Sequence, residues 1–385
     1  MKLVTARQMQ AIDRAAADEY DLPTLILMEN AGRAVAEAVR RHAPRARSVA
    51  ILAGAGNNSG DGFVAARHLS LNSLPGAGQL TVTVFLAAPR EKLKGDALLN
   101  FRTLQGFPVS VREVCEGNLA GELAALGRCD LLVDALFGTG LSGLLSPFYI
   151  GLIEGAQAAA IPILAVDIPS GLAADSGAPL GTSFRATWTV TMGLPKVGMW
   201  APSAAAFVGE MEVADIGFPP ALLVDESLPG HLIGPDLLGG ILPSRPSQAH
   251  KGSSGTVLVL AGSLPYRGAA NLAGLAALRS GAGLSRLGLP RSLCLLNLDK
   301  PDELVQWPLP EEDSPALAPA ALEMALEAAA KADAVVLGPG LGQDPRTAAF
   351  LFAFLRRNWT ATVLDADGLN IVASNPTILL ETPAP

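Results

Sequence analysis

The sequence predicts an α/β protein built on parallel sheets, and three observations carry that prediction. Short apolar runs recur along the chain, helix-compatible stretches separate them, and glycine or acidic residues gather just after several of them. Continuous apolar strands alternating with helices imply a parallel sheet covered on both faces. In open sheets of that kind, ligands bind beyond the carboxyl ends of the strands.

Taken in order, Thr5 and Gln8 form a capping box that opens a first helix, with Met9, Ile12 and Ala16 on one face. A second helix covers about 24–41. Strand-like runs follow at SVAILAG (48–54), LTVTVFL (80–86), CDLLVDAL (129–136), IPILAVDI (161–168) and ATWTVTMG (186–193). Between them FVAARHLSL and GDALLNFRTL are helix-compatible. This series closes near GEMEVADIGFPPALL (209–223), and residues 224–249, with Pro229, Pro235, Pro243 and Pro246, read as a connection. A second series has strands at GTVLVLAG (255–262), DAVVLGPG (333–340) and TATVLDADG (360–368), with an Ala-rich helix in 315–332. Two domains are expected, 1–225 and 226–385.

Composition limits the function. The chain has 385 residues, 50% hydrophobic and 17% charged, enough to bury large cores. A net charge of −8 without clustered Lys and Arg argues against a nucleic-acid surface. The amino terminus lacks the apolar segment of a secretion signal, and no run reaches bilayer length. A cytoplasmic protein with no membrane partner is therefore expected. Cys115, Cys129 and Cys294 are widely spaced and the four histidines show no ligand spacing, which predicts reduced thiols and no zinc.

The stretch ILAGAGNNSGDG (51–62) carries Gly54, Gly56 and Gly60 as G-x-G-x-x-x-G, one residue longer than the dinucleotide fingerprint and without the Lys-Ser/Thr of a P-loop. As a strand-to-helix turn ending at Asp61, it brings backbone N–H groups to an anion, with Asn57, Asn58, Ser59 and Asp61 adding side-chain hydrogen bonds. A tight turn that serves packing alone is the other reading. VDALFGTGLSG (133–143) ends a strand at Asp134 and continues through Gly138, Gly140 and Gly143. AVDIPSGL (165–172) ends another at Asp167, followed by Ser170 and Gly171.

If these strands are neighbours, three polar loops converge on one crevice, where carboxylates must be hydrated, paired or bound to a cation. Asp134, Ser170 and the Asn58 amide supply the oxygen ligands that suit a hard cation. Each aspartate could instead cap the next helix.

With LMENAG (27–32) and GLPKVGMW (193–200), these motifs resemble, in order, those of the NAD(P)H-hydrate epimerase family across roughly residues 1–225. The resemblance implies a Rossmann-like doubly wound sheet. It implies that Asn57, Asn58, Ser59, Gly60 and Asp61, with Gly138, Thr139, Gly140, Leu141, Ser142, Gly143 and Leu144, hold hydrated NADH or NADPH. By the same resemblance Asn58, Asp134 and Ser170 ligate K+, and Asp167 is the acid–base group at the reacting ring. Ser59 stands where the family usually has Gly, and at positive φ a serine would be strained. Lys196 reads more readily as a solvated or stem-buried side chain than as a site residue, and its role is open. Possible self-association is a further implication of the resemblance.

The second half is similar to the ADP- or ATP-dependent NAD(P)H-hydrate dehydratases of ribokinase-like fold, through HKGSSGTVLVLAGS (250–263), YRGAANLAGLAALRSGAGL (266–284), GPGLG (338–342) and DADGLN (365–370). That places substrate contacts at Ala270 and Gly340. The family's later G-[ST]-G-D turn is not found before residue 385, so an incomplete ribokinase-like domain without dehydratase activity is expected, its sheet edge unpaired. A nucleotide-binding module without catalysis is the main rival. A dinucleotide oxidoreductase fits less well, given the long glycine spacing and Arg90 where the ribose-binding acid is expected.

Overall fold

The computed structural model describes every residue except 72–79, 229, 242–246 and 299. Pro229, Pro243 and Pro246 of the expected connection therefore lie outside the described residues. The chain forms two compact units, Met1–Ile241 and Leu242–Pro385. The first unit runs past the expected boundary at 225 because Gly230 and His231 pair with Leu3 and Lys2 in a small antiparallel sheet.

The first unit begins with β1 (Lys2–Leu3), α1 (Ala6–Tyr20), α2 (Thr24–His42), β2 (Ser48–Ala53), α3 (Asn57–Ser70) and β3 (Thr81–Leu86). It continues with α4 (Gly95–Thr103), β4 (Val109–Glu113), α5 (Leu119–Leu126), β5 (Leu131–Ala135), α6 (Pro147–Ala158) and β6 (Ile163–Val166). The last elements are β7 (Trp188–Met192), α7 (Ala205–Val208), β8 (Glu210–Ala214), α8 (Pro220–Leu223), β9 (Gly230–His231) and α9 (Pro235–Ile241). The capping box at Thr5 and Gln8 is present, and α1 buries Met9, Ile12 and Ala16 as their spacing requires.

Seven strands form one parallel sheet in the order β4-β3-β2-β5-β6-β7-β8. Side chains alternate across it. Val49, Ile51 and Ala53 of β2 join a core with α1, α2 and α3, while Ala50 and Leu52 join one with α5 and α6. The order reverses between β2 and β5, so the loops after these strands diverge and leave a crevice at their carboxyl ends. β4 and β8 are the edge strands, and their partly exposed, charge-bearing sequences VSVRE and EMEVA explain why no apolar run announced them.

The second unit contains β10 (Thr256–Leu260), α10 (Arg267–Arg279), β11 (Leu284–Pro290), α11 (Arg291–Leu296), β12 (Leu304–Leu309) and α12 (Leu322–Ala329). It closes with β13 (Ala334–Leu337), α13 (Pro345–Arg357), β14 (Thr362–Leu364), α14 (Asp367–Val372) and α15 (Ile378–Glu381). Its five-stranded parallel sheet has the order β12-β11-β10-β13-β14. Again the faces alternate, Leu258 and Leu260 in one core, Val259 and Ala261 in the other. β11 and β12 escape a search for apolar runs because Arg286, Gly288, Gln306 and Pro308 interrupt them. No helix among the described residues is long and apolar enough to cross a membrane.

Candidate active site

At the reversal point of the seven-stranded sheet lies a cavity of about 590 Å³. The loops after β2 and β5 supply Gly56, Asn57, Asn58 and Leu136–Ser142, the end of β7 and the segments after β6 and β7 supply Met192, Asp167 and Lys196, and α1 adds Met9, Gln10 and Asp13. A volume of that size suits a small-molecule ligand.

The segment read as a turn of glycines and asparagines is helical from Asn57 onward, with Gly56 as the N-cap residue. The turn itself is Gly54–Gly56, where a side chain on Gly54 would meet the Leu136 carbonyl oxygen at 2.6 Å. The first N–H groups of α3, with the positive end of its dipole, open on the cavity beside Asn57 and Asn58. Ser59 is therefore not strained. Its hydroxyl accepts from Gly54 N at 2.7 Å and donates to Ala135 O at 3.0 Å, fully buried, which ties α3 to β2 and β5.

Of the residues expected to hold ligand, Asn57, Asn58, Asp61 and Gly138–Ser142 line the cavity. Ser59 is turned into the core, and Gly60 packs so closely that a Cβ would lie 2.4 Å from the Met28 sulfur. Gly143 and Leu144 are off the cavity wall, Leu144 being 81% exposed. Asp134 and Ser170 lie beneath the wall.

Asp134 has no exposed surface. It accepts from Ser170 Oγ at 2.6 Å, Ser170 N at 2.7 Å and Leu136 N at 3.3 Å. Burial raises its carboxyl to about 6, against the pull of those three hydrogen bonds. Ser170 Oγ in turn accepts from Phe137 N at 2.8 Å, and Asn58 Nδ2 donates to Phe137 O at 3.0 Å. One carboxylate, one hydroxyl, one amide and one carbonyl are thus gathered at the floor of the crevice. That donor set fits a hard cation, and none of the hydrogen bonds to Asp134 comes from a basic side chain.

Asp167 follows β6 directly and is held at φ +66°, in the left-handed region that costs a non-glycine residue about 1–3 kcal/mol. Its N–H donates to Val190 O at 2.7 Å, which fixes the backbone in that shape. Oδ1 accepts from the Lys196 ammonium, from Met192 N at 3.2 Å and from Thr191 Oγ1 at 3.3 Å. Lys196 is fully buried and also donates to Thr191 Oγ1 at 2.9 Å and Met192 O at 3.2 Å. The readings of Lys196 as solvated or stem-buried give way to a buried ion pair. Among the described residues all of these bonds fall on Oδ1 and none on Oδ2, and Asp167 lines the cavity.

Two further carboxylates share this space. Burial, then the Asp167 charge, raises the Asp13 carboxyl to about 6. Asp61 is pushed well above the usual carboxylate range by burial first, then by Asp167 and Asp13. Asp61 was legible from its motif. Asp13, alone in an amphipathic helix, was not.

In the second unit the strand order reverses between β10 and β13, and the loops after those strands are tied together. Gly262 N donates to Pro339 O at 2.8 Å, and Ser263 Oγ donates to Gly340 O at 2.7 Å. Gly340 has φ +65°, and a Cβ there would lie 2.8 Å from the Cβ atoms of Ala269 and Tyr266. Ala270 is fully buried in α10, packed toward Gly262. Gly342 N donates to Asp367 Oδ2 at 2.9 Å at the start of α14. The two expected contact positions thus lie at one end of the sheet, Ala270 with its side chain in the core. β14 is an edge strand of this sheet.

Comparison with known proteins places both units. Residues 24–198 match the family described as YjeF-related protein N-terminus, and residues 257–384 match the NAD(P)H-hydrate dehydratase family. A bifunctional NAD(P)H-hydrate repair enzyme of Moorella thermoacetica is 40% identical over 98% of this chain and 71% of its own length. The protein of the same description from Thermofilum pendens is 37% identical over 100% of this chain and 72% of its own. Among solved structures, a yeast protein is 26% identical over 55% of this chain and 87% of its own, with a TM-score of 0.47. An ADP/ATP-dependent NAD(P)H-hydrate dehydratase of Bacillus subtilis, crystallised with ATP and Mg2+, is 30% identical over 35% of this chain and 45% of its own, with a TM-score of 0.28. The expectation that dehydratase activity is lost finds no support here, since the dehydratase family spans 257–384. With that identity sustained over nearly its whole length, the chain belongs to the family of bifunctional NAD(P)H-hydrate repair enzymes.

Proposed function

We propose that the first unit interconverts the R and S forms of hydrated NADH or NADPH, with Asp167 as a proton carrier. The observation that carries this reading is Asp167 itself: a strained, lysine-anchored carboxylate, one oxygen free of hydrogen bonds, lining a cavity at the sheet's reversal point. C6 of the hydrated ring carries a hydroxyl next to the ring nitrogen. Protonation of that hydroxyl by a carboxylic acid, with push from the nitrogen lone pair, breaks the C–O bond and leaves an iminium ion. Water then adds to C6 while a carboxylate takes its proton, and addition to the other face gives the other epimer. A positioned acid–base group contributes about 10²–10⁴ in rate to such a step.

The amino end of α3, with Asn57 and Asn58, suits the dinucleotide phosphates, and the Gly138–Ser142 loop forms the facing wall. Asn58, Asp134 and Ser170, with the Phe137 carbonyl, would hold K+. When bound, that ion supplies the positive charge that a buried Asp134 lacks. For the second unit we propose the ADP- or ATP-dependent dehydration of the S form, supported by the sequence motifs and by the family matched over 257–384.

The test mixes the purified chain with NADPH hydrate enriched in the R form and an independent S-specific dehydratase, and follows the return of NADPH absorbance. The wild type should accelerate that return and Asp167→Asn should not. Binding of the hydrate without faster exchange would leave a nucleotide-binding module in place of an enzyme.

A further inference from the structure

Epimerisation at a single carbon makes a demand that Asp167 alone meets poorly. The hydroxyl leaves from one face of the ring and water must be able to arrive on the other, so protons are handled on both sides. Asp167 has one oxygen committed to Lys196, Thr191 and Met192. A single remaining oxygen on one wall of the cavity serves one face. We propose that Asp13 is the second catalytic residue of this site, carrying the proton on the face of the ring that Asp167 does not reach.

Three observations support it, all resting on the epimerase reading above. First, Asp13 lines the same cavity from a different element, α1, one turn on from Met9 and Gln10, which also line it. Second, α1 is held in register with the Asp167 anchor. Val4, just before the helix, lies in a parallel bridge with Lys196, donating to Pro195 O at 3.1 Å and accepting from Val197 N at 2.9 Å. Ala6 N, in the first turn, donates to Asp175 Oδ1 at 2.6 Å. Third, no hydrogen bond or ion pair engages the Asp13 carboxyl among the described residues, although it is partly buried. An unpartnered carboxylate in that position is costly to keep unless it does work there.

The groups facing Asp13 are Asp61 from α3, Asp167 after β6, Lys196 after β7 and Arg14 on its own helix. Burial first, and then the Asp167 charge, raise the Asp13 carboxyl to about 6 against the pull of Lys196 and Arg14, so that both protonation states are accessible near neutrality. The balance is simple. In one direction the Asp13 acid gives its proton to the departing hydroxyl, the C6–O bond breaks, and water leaves. A second water adds to C6 from the opposite face and its proton passes to Asp167. In the other direction the roles exchange, and the carboxyls reset by proton exchange with solvent.

The experiment compares wild type, Asp13→Asn and Asp167→Asn in the coupled exchange assay between about pH 5 and 8, with calorimetric binding of NADP+ and thermal melting on each. Asp13→Asn should lose about 100-fold or more in kcat with KM and NADP+ affinity nearly unchanged, and should lose the wild-type titration near pH 6. If Asp13→Asn melts below wild type, Asp13→Ser carries the same comparison. Wild-type kcat and an unchanged pH profile in Asp13→Asn, beside an inactive Asp167→Asn, would overturn the role of Asp13 and leave the epimerase standing. A wild type that does not accelerate exchange would overturn both.

Discussion

Lys196 sits with no exposed surface and donates its ammonium proton to Oδ1 of Asp167, a carboxylate whose side chain is 13% exposed. Two groups of opposite charge this far out of water compensate each other, and the lysine's remaining protons find Thr191 Oγ1 and Met192 O. The pair holds the carboxylate's orientation, so that φ +66° at Asp167 and the free Oδ2 belong to one arrangement.

Removing the lysine should therefore cost more than the hydrogen bonds themselves. We predict that Lys196→Met lowers stability by about 3–5 kcal/mol in urea unfolding, because it leaves Asp167 buried and unpaired. Lys196→Met with Asp167→Asn should recover most of that stability and none of the activity. A double variant as unstable as the single one would show that packing, not charge, is what the lysine provides.

Asp13 should make the protein less stable where it makes it active. Its folded carboxyl lies at about 6 against an ordinary 3.8, raised by burial and then by the Asp167 charge. Below about pH 4 both folded and unfolded chains carry it protonated and it costs nothing. As pH rises from about 4 to 6 the unfolded chain ionises first, so stability falls, and above that window the loss is constant. Asp13→Asn is expected to gain about 1–3 kcal/mol at pH 7, with the gain vanishing near pH 4. Equal melting of the two proteins at pH 7 would contradict this.

Ser59 gives a prediction of the opposite kind, in stability without function. Its hydroxyl satisfies Gly54 N and Ala135 O in the fully buried junction of α3 with the sheet, off the cavity wall. Ser59→Ala leaves both groups without that partner and should cost about 1–3 kcal/mol, with KM for the hydrate little changed. A large rise in KM at unchanged stability would return Ser59 to the ligand site.

What could be read without coordinates follows from what each signal depends on. Central strands such as β2 and β5 are buried on both faces and so are continuous apolar runs, whereas β4 and β8 bury too little to be seen that way. The start of α3 was hidden because Asn-Asn-Ser-Gly favours a turn by local preference, and the bonds of Ser59 to β2 and β5 override it. Asp167, Asp134 and Ser170 end or follow strands in glycine-rich loops and were legible as a group. Lys196 and Asp13 were not, since nothing in a lone lysine or a lone helical aspartate encodes the Val4–Lys196 bridge that brings both to one cavity.

The floor of the crevice can be tested without any turnover. Asp134 has no exposed surface, yet the Ser170 and Leu136 groups that bond it are neutral. A cation bound there in the folded state and absent from the unfolded one must stabilise by mass action, about 2.7 kcal/mol at a concentration 100-fold above its Kd. We predict that the melting temperature of the first unit rises as KCl replaces choline chloride at constant ionic strength. Constant ionic strength removes general screening from the comparison. Asp134→Asn should melt at the same temperature in both salts, because it removes the carboxylate charge that would hold the ion. Identical melting of the wild type in the two salts, or an undiminished K+ effect in Asp134→Asn, would remove the ion from this site and leave the donor set of Asn58, Phe137 and Ser170 as a hydrogen-bonded strut between α3 and the loops after β5 and β6.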